Sequence, residues 1–332
     1  MRCLAPIKTA IVQPGHAVWC VRVLAGIALL AASSVVWAQP FGFSVNSRGN
    51  FSDSDDVNAL WRINLATGAH ERVSDQGLPT GYLDLEALAI NNDDQLFGVD
   101  DDLKTLVRVS MVTGVASAVG GTTSNLGLPL GTGLDFGMAF ACDNQAYVVS
   151  DVEQSLFTAN TTTGALTRVG AAGSMGAPIT DIAIRGNEAY GIGVGLDGDG
   201  NTASPNLYKV DLSQGTASLI GPLGSGANPY NNAGLSFDDQ GKLWAITDRR
   251  QVGGQDLASE ILRIDTTTGQ ATLIGTSIVG LESLAIGPPA QCGQSDSNTS
   301  HSIPTVDVWA IGILAGLMMW LGVSRTRRGV QS

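Results

Sequence analysis

A nine-residue unit recurs five times along this chain, and such recurrence restricts the fold to repeat architectures. The copies are Leu60-Trp-Arg-Ile-Asn-Leu-Ala-Thr-Gly68, Leu106-Val-Arg-Val-Ser-Met-Val-Thr-Gly114, Leu156-Phe-Thr-Ala-Asn-Thr-Thr-Thr-Gly164, Leu207-Tyr-Lys-Val-Asp-Leu-Ser-Gln-Gly215 and Ile261-Leu-Arg-Ile-Asp-Thr-Thr-Thr-Gly269. Their starts are 46, 50, 51 and 54 residues apart. Each opens with apolar strand sequence and closes in an Asn/Asp/Ser/Thr turn ending in Gly, the residue that tolerates positive φ. A second short strand follows, as at 165–169 and 270–274, so each copy predicts a hairpin.

A second element alternates with the first: Glu86-Ala-Leu-Ala-Ile90, Phe136-Gly-Met-Ala-Phe140, Thr180-Asp-Ile-Ala-Ile184, Ala233-Gly-Leu-Ser-Phe237 and Glu282-Ser-Leu-Ala-Ile286. The first four lead through a polar turn into another strand, at 96–100, 146–150, 189–194 and 243–247. The module therefore has four strands, a to d, and no helical periodicity, which predicts a β-propeller. The last strand a, near 281–286, has no b, c and d after it. The N-terminus supplies them at 41–45, 60–65 and 71–74. The expected fold is all-β: a five-bladed β-propeller closed by a blade shared between N- and C-terminal strands, with no open edge. An open β-solenoid or a two-domain β-sandwich is the alternative. The Ile-Asp-x-Thr-Thr-Gly core of 261–269 also resembles a widespread repeat of secreted bacterial propellers, which implies fold and little about function.

The ends have other roles. Arg2, Lys8 and Arg22, the apolar run from Val23 to Val36, and Val36-Trp37-Ala38 before Gln39-Pro40 read as a secretory signal peptide over 1–38. A propeller over 39–290 and a linker over 291–302 follow. At 303–332, Ile303-Pro304-Thr305-Val306 and Trp309 precede an apolar run to Val323 and then Arg325, Arg327 and Arg328. A helix over 308–323 is about 24 Å long, short for a core of about 30 Å but extended by 303–305. The trailing arginines favour a cytoplasmic C-terminus. Motif, helix and arginine cluster together resemble the C-terminal sorting signals of bacterial exosortases, in the subtype with an Ile-Pro-Thr-Leu signature and a nearby Trp-Gly. Val306 stands where that family has Leu, and Ala310 where it has Gly. The resemblance implies a Gram-negative bacterium, an exosortase-like membrane protease as partner, transient residence in the inner membrane, and delivery to the cell envelope, cell surface or extracellular matrix.

Composition narrows the chemistry. Residues 39–302 hold 12 Lys and Arg against 29 Asp and Glu, a net of −17, so the domain repels nucleic acid and anionic membranes. Cys142 and Cys292 are the two cysteines outside the signal segment, and in an oxidising compartment such a pair can form a disulfide. His70 is the one histidine of the propeller segment 39–290, with His16 in the signal segment and His301 in the tail, which disfavours His-rich metal sites and a Ser-His-Asp triad.

Candidate sites follow from the fold. The starts of strands a share one face with the b–c connections, three of which are long: 47–59, 195–206 and 248–259. Asp84, Glu86, Asp135, Asp181 and Glu282 would ring the channel mouth there, with Asn232 in the remaining blade. Such a ring could hold Ca²⁺, which prefers several oxygen ligands, or it could be a solvated rim. Asp197-Gly-Asp199-Gly-Asn201 has the alternating oxygens that begin a Ca²⁺ loop but lacks the Glu twelve positions in. Trp61 and Trp244 fall on strands, where core packing is expected. The reading is a non-enzymatic, surface-delivered binding or matrix module whose ligand is an unspecified surface or polysaccharide group. The alternative is a propeller glycosidase or lyase using paired carboxylates such as Glu86, Glu282 and Asp181.

Overall fold

The computed structural model describes residues 40–46, 59–73, 81–82, 84–129, 135–196, 201–250 and 256–292. Residues 1–290 form one compact unit and 291–332 a second, of which Gln291 and Cys292 are described. The expected signal segment, the sorting motif Ile303, Pro304, Thr305, Val306 and Trp309, and the expected C-terminal helix lie outside the described residues. No helix among the described residues is long and apolar enough to cross a membrane.

Among the described residues, nineteen strands form five antiparallel sheets. In chain order, β1 (Phe41–Val45), β2 (Leu60–Asn64) and β3 (His70–Arg72) belong to the closing blade. Blade 1 is β4 (Leu85–Ile90), β5 (Leu96–Asp100), β6 (Thr105–Val109) and β7 (Ala116–Ala118). Blade 2 is β8 (Phe136–Phe140), β9 (Ala146–Ser150), β10 (Ser155–Ala159) and β11 (Leu166–Val169). Blade 3 is β12 (Ile179–Arg185), β13 (Glu188–Gly193), β14 (Asn206–Asp211) and β15 (Thr216–Pro222). Blade 4 is β16 (Asn232–Phe237), β17 (Leu243–Arg250), β18 (Asp256–Ile264) and β19 (Ala271–Val279). Blade 4 ends in a longer strand than the 270–274 expected from the repeat. The inner strands pack in sequence, β4 on β8, β8 on β12 and β12 on β16.

The repeat owes its sequence to one turn made five times. Its fifth residue caps the turn: Asn64 Oδ1 accepts from Ala66 N at 3.0 Å, Ser110 Oγ from Thr113 N at 3.1 Å, and Asn160 Oδ1 from Thr162 N at 2.9 Å. Asp211 Oδ1 and Asp265 Oδ1 accept from Ser213 N and Thr267 N, each at 2.8 Å. Its ninth residue is Gly68, Gly114, Gly164, Gly215 or Gly269, with φ between 65 and 88°, where other residues are strained. Its first residue, Leu60, Leu106, Leu156, Leu207 or Ile261, is buried in the core.

The ring closes as a shared blade. Phe43 and Ala285 exchange both main-chain hydrogen bonds, at 2.7 and 2.9 Å, and Asn46 bridges Leu281. Three steps from Phe43 to Asn46 face four from Leu281 to Ala285, so the innermost segment makes bridges where the sequence suggested a full strand. Apolar burial locks both seams. Ala285 packs with Val45, Leu60, Leu85 and Leu88 toward blade 1. Leu281 and Leu284 pack with Trp61, Trp244 and Ile246 toward blade 4. Both tryptophans are core residues, their indole N–H groups donating to Asn46 Oδ1 at 3.0 Å and Asp238 Oδ2 at 2.9 Å.

Candidate functional site

Strand pairing fixes which inner-strand residues share a level round the hub. Glu86 pairs with Val99, Gly137 with Val149, Asp181 with Ile192 and Gly234 with Ile246, all at the same position of strand b. Glu282 joins this level because Leu281 pairs with Asn46. Three blades therefore carry an acid there and two carry Gly. The three acid-bearing segments each contain an extra residue. β4 bulges between Glu86 and Ala89, with Ala87 at φ 43°, and β12 bulges between Ile179 and Asp181. The regular strands β8 and β16 carry the glycines. A bulge re-aims the side chains beside it.

This corrects the expectation of acids at matching places in four strands. Asp135 sits two positions before Gly137, on the level of Asp84 and Asn232. Asp181 occupies the acid level but serves the backbone. Its Oδ1 accepts from Met138 N at 2.9 Å and Ile182 N at 2.8 Å, and its Oδ2 from Leu235 N at 2.6 Å. One carboxylate thus satisfies the inner edges of blades 2, 3 and 4. Burial pushes its pKa well above the usual carboxylate range, with the three N–H donors pulling down.

The acids that converge lie at the seam of the closing blade and blade 1. Asp84, Glu86 and Glu282 each place a carboxylate oxygen within 4.8 Å of the others, and they are 1, 2 and 5% exposed. Glu86 Oε2 also accepts from Phe136 N at 2.9 Å. Burial raises the Glu86 pKa well above the ordinary range, and the charges of Asp135, Glu282 and Asp84 add to it. Asp135 N donates to Asp151 Oδ1 at 3.0 Å, and the Asp151 carboxyl is raised to about 7, by burial first and then by Asp135. Beside them Asp84 also approaches Asp101 and Asp102. The buried Lys104 ammonium donates to the Asp101 carboxylate and, at 2.7 Å, to its carbonyl oxygen.

Of the sequence candidates, Glu86, Asp135 and Glu282 come together and Asp181 stands apart. Asp197 and Asp199 lie outside the described residues, and Asn201 is exposed. Cys142 and Cys292 are both disulfide-bonded. Asp101, Lys104 and Asp151 were not singled out from sequence. The signal for them is positional, since Asp101 and Asp151 each follow the last residue of a strand b.

No protein-family model matches the chain, and no curated protein sequence does. Among solved structures it is similar to virginiamycin B lyase from Staphylococcus aureus, with 14% identity and a TM-score of 0.38 over 66% of this chain and 63% of that one. A protein provisionally assigned as a 6-phosphogluconolactonase from Bacteroides fragilis is similar at 13% identity and TM-score 0.40, over 76% of this chain and 99% of that one. A protein of unknown function from Bacteroides thetaiotaomicron is similar at 14% identity and TM-score 0.38, over 60 and 56%. The chain thus spans 63% of the length of the lyase. The five-bladed fold itself rests on the sheets and closure described above.

Proposed function

We propose that this chain is an exported, non-enzymatic binding module whose hub holds a divalent cation, Ca²⁺, between Asp84, Glu86 and Glu282, with Asp135 alongside. The carrying observation is three carboxylates within 4.8 Å of one another and nearly cut off from water. Ionised together without a counter-charge they repel strongly, and a hard cation with several oxygen ligands removes that cost. The same burial disfavours the glycosidase and lyase alternatives. Paired carboxylates that cleave a glycosidic bond must reach it, whereas Glu86 and Glu282 are 2 and 5% exposed. His70 packs edge-on against Trp61 at 5.6 Å, among structural contacts. The ion would hold the hub of a rigid ring whose mouth presents variable loops to a surface or polysaccharide ligand. Equilibrium dialysis of the full chain against Ca²⁺ tests the site. One ion bound per chain, lost in Glu282→Gln, supports it, and no retained Ca²⁺ at millimolar concentration refutes it.

Delivery is the second half of the proposal. An exosortase-like protease would cut near Ile303-Pro304-Thr305 and leave the domain at the cell surface or in the matrix. The support is the order of motif, apolar run and arginines at 303–328. Mass spectrometry of surface-extracted protein should find no peptide from 309–325, and an intact tail in most molecules would contradict processing.

A further inference from the structure

Asp84 belongs to two carboxylate trios. One is the hub trio with Glu86 and Glu282, and the other joins it to Asp101 and Asp102, the oxygens of each trio lying within 4.8 Å of one another. The second trio has a cation of its own. The Lys104 side chain is 1% exposed, and its ammonium donates to the Asp101 carboxylate and, at 2.7 Å, to the Asp101 carbonyl oxygen. An ammonium is a compact point charge with three donors, and a buried charge persists only when paired.

Blade 2 repeats the turn that carries Lys104. Lys104 N donates to Asp101 O and Gln154 N to Asp151 O, each at 3.3 Å. Asp101 N donates to Asp84 O at 2.9 Å, and Asp151 N to Asp135 O at 3.2 Å. The Thr105 and Ser155 hydroxyls close the two turns on Leu103 O and Glu153 O, at 2.9 and 2.7 Å. Lys104 and Gln154 both take positive φ, at 48 and 44°. The turn itself therefore does not require an ammonium, since neutral Gln154 builds it equally well. What blade 1 adds is an acid: Asp102 stands where blade 2 has Val152.

We propose that Lys104 sets the number of divalent ions the mouth can hold. Its tethered ammonium serves as the cation of the Asp84, Asp101 and Asp102 trio, and a divalent ion is left only the trio of Asp84, Glu86 and Glu282. The single native ion rests on the cation reading given above, whereas the exclusion of an ion by Lys104 rests on the second trio. Without the ammonium, Asp84, Asp101 and Asp102 repel one another, and a hard cation that takes several oxygen ligands replaces it.

Equilibrium dialysis of the full chain against millimolar Ca²⁺ reads the count, with Lys104→Gln copying the blade 2 turn. The parent should hold one ion and Lys104→Gln two. Lys104→Gln combined with Asp101→Asn, which removes an acid together with the ammonium, should return to one. Lys104→Gln should also melt below the parent in chelator and recover in millimolar Ca²⁺, so a variant that folds only with Ca²⁺ still reports the second ion. An unchanged count in Lys104→Gln, or a variant that Ca²⁺ does not restore, would overturn the proposal and leave the hub ion standing. No ion in the parent and one in Lys104→Gln would refute the hub ion and uphold the exclusion by Lys104. No ion in either chain would refute both.

Discussion

Gly137 and Asp181 touch across the hub so closely that a Cβ on Gly137 would fall under 3.0 Å from the Asp181 backbone and carboxylate. This contact lets blade 3 lay its carboxylate over the free N–H groups of blades 2 and 4. Gly137→Ala should cost about 1–3 kcal/mol by overpacking. Asp181→Ala should cost about 3 kcal/mol or more, because it orphans three buried N–H donors at about 1–3 kcal/mol each. Asp181→Asn should fall between Asp181→Ala and the parent, since an amide oxygen keeps part of the acceptor capacity. Denaturant melts of the three variants check the order. Equal stability of Asp181→Ala and the parent would remove the structural role.

The shared blade makes the first strand essential to the whole ring. Deleting 39–46 removes β1, its bonds to Ala285 and the Val45 contacts at the seam with blade 1. It also exposes strand edges that the closed ring keeps paired. The deletion should lose cooperative unfolding and aggregate. Calorimetry is the check, and an unchanged single transition would contradict closure at this seam.

The hub acids give the cation-free protein an unusual pH dependence. Glu86 and Asp151 have folded pKa values raised above their usual ranges, Asp151 to about 7. The folded state then binds more protons than the unfolded chain between the ordinary carboxylate range and neutrality, and stability falls as pH rises through that window. In chelator, the melting temperature should drop from pH 5 to pH 8, and Glu86→Gln should flatten the drop and be the more stable protein at pH 8. A melting temperature that rises over this range would contradict the assignment.

Local chemistry was legible in the sequence, and register was not. The fifth and ninth repeat residues announce their turn because an Asn64 or Asp265 cap and a positive-φ Gly act within one loop. The blade count and the donation of 41–45 to the last blade follow from where the repeats start and stop. The acid ring was misread because Ala87 and Thr180 are extra residues in strand a, visible only once the strand is paired with its neighbour. One added residue exchanges the faces of a strand, so Asp135, Asp181 and Glu86 looked equivalent along the sequence while the ring gives them separate roles. Lys104 and Asp101 join the mouth through a turn at positive φ that no periodic pattern marks.

The central claim is a cation held by Asp84, Glu86 and Glu282, and a thermal melt in millimolar Ca²⁺ against chelator at pH 8 tests it most directly. An ion present at 100 times its dissociation constant adds about 2.7 kcal/mol. For a domain of this size that is a rise of about 5–10 °C. The rise should appear in the parent, shrink in Glu86→Gln and Glu282→Gln, and persist in Glu153→Gln, whose carboxylate instead pairs with Arg168 at 2.9 Å. A melt that chelation leaves unchanged, with both hub variants more stable than the parent, would make these acids a proton-neutralised rim and contradict the account.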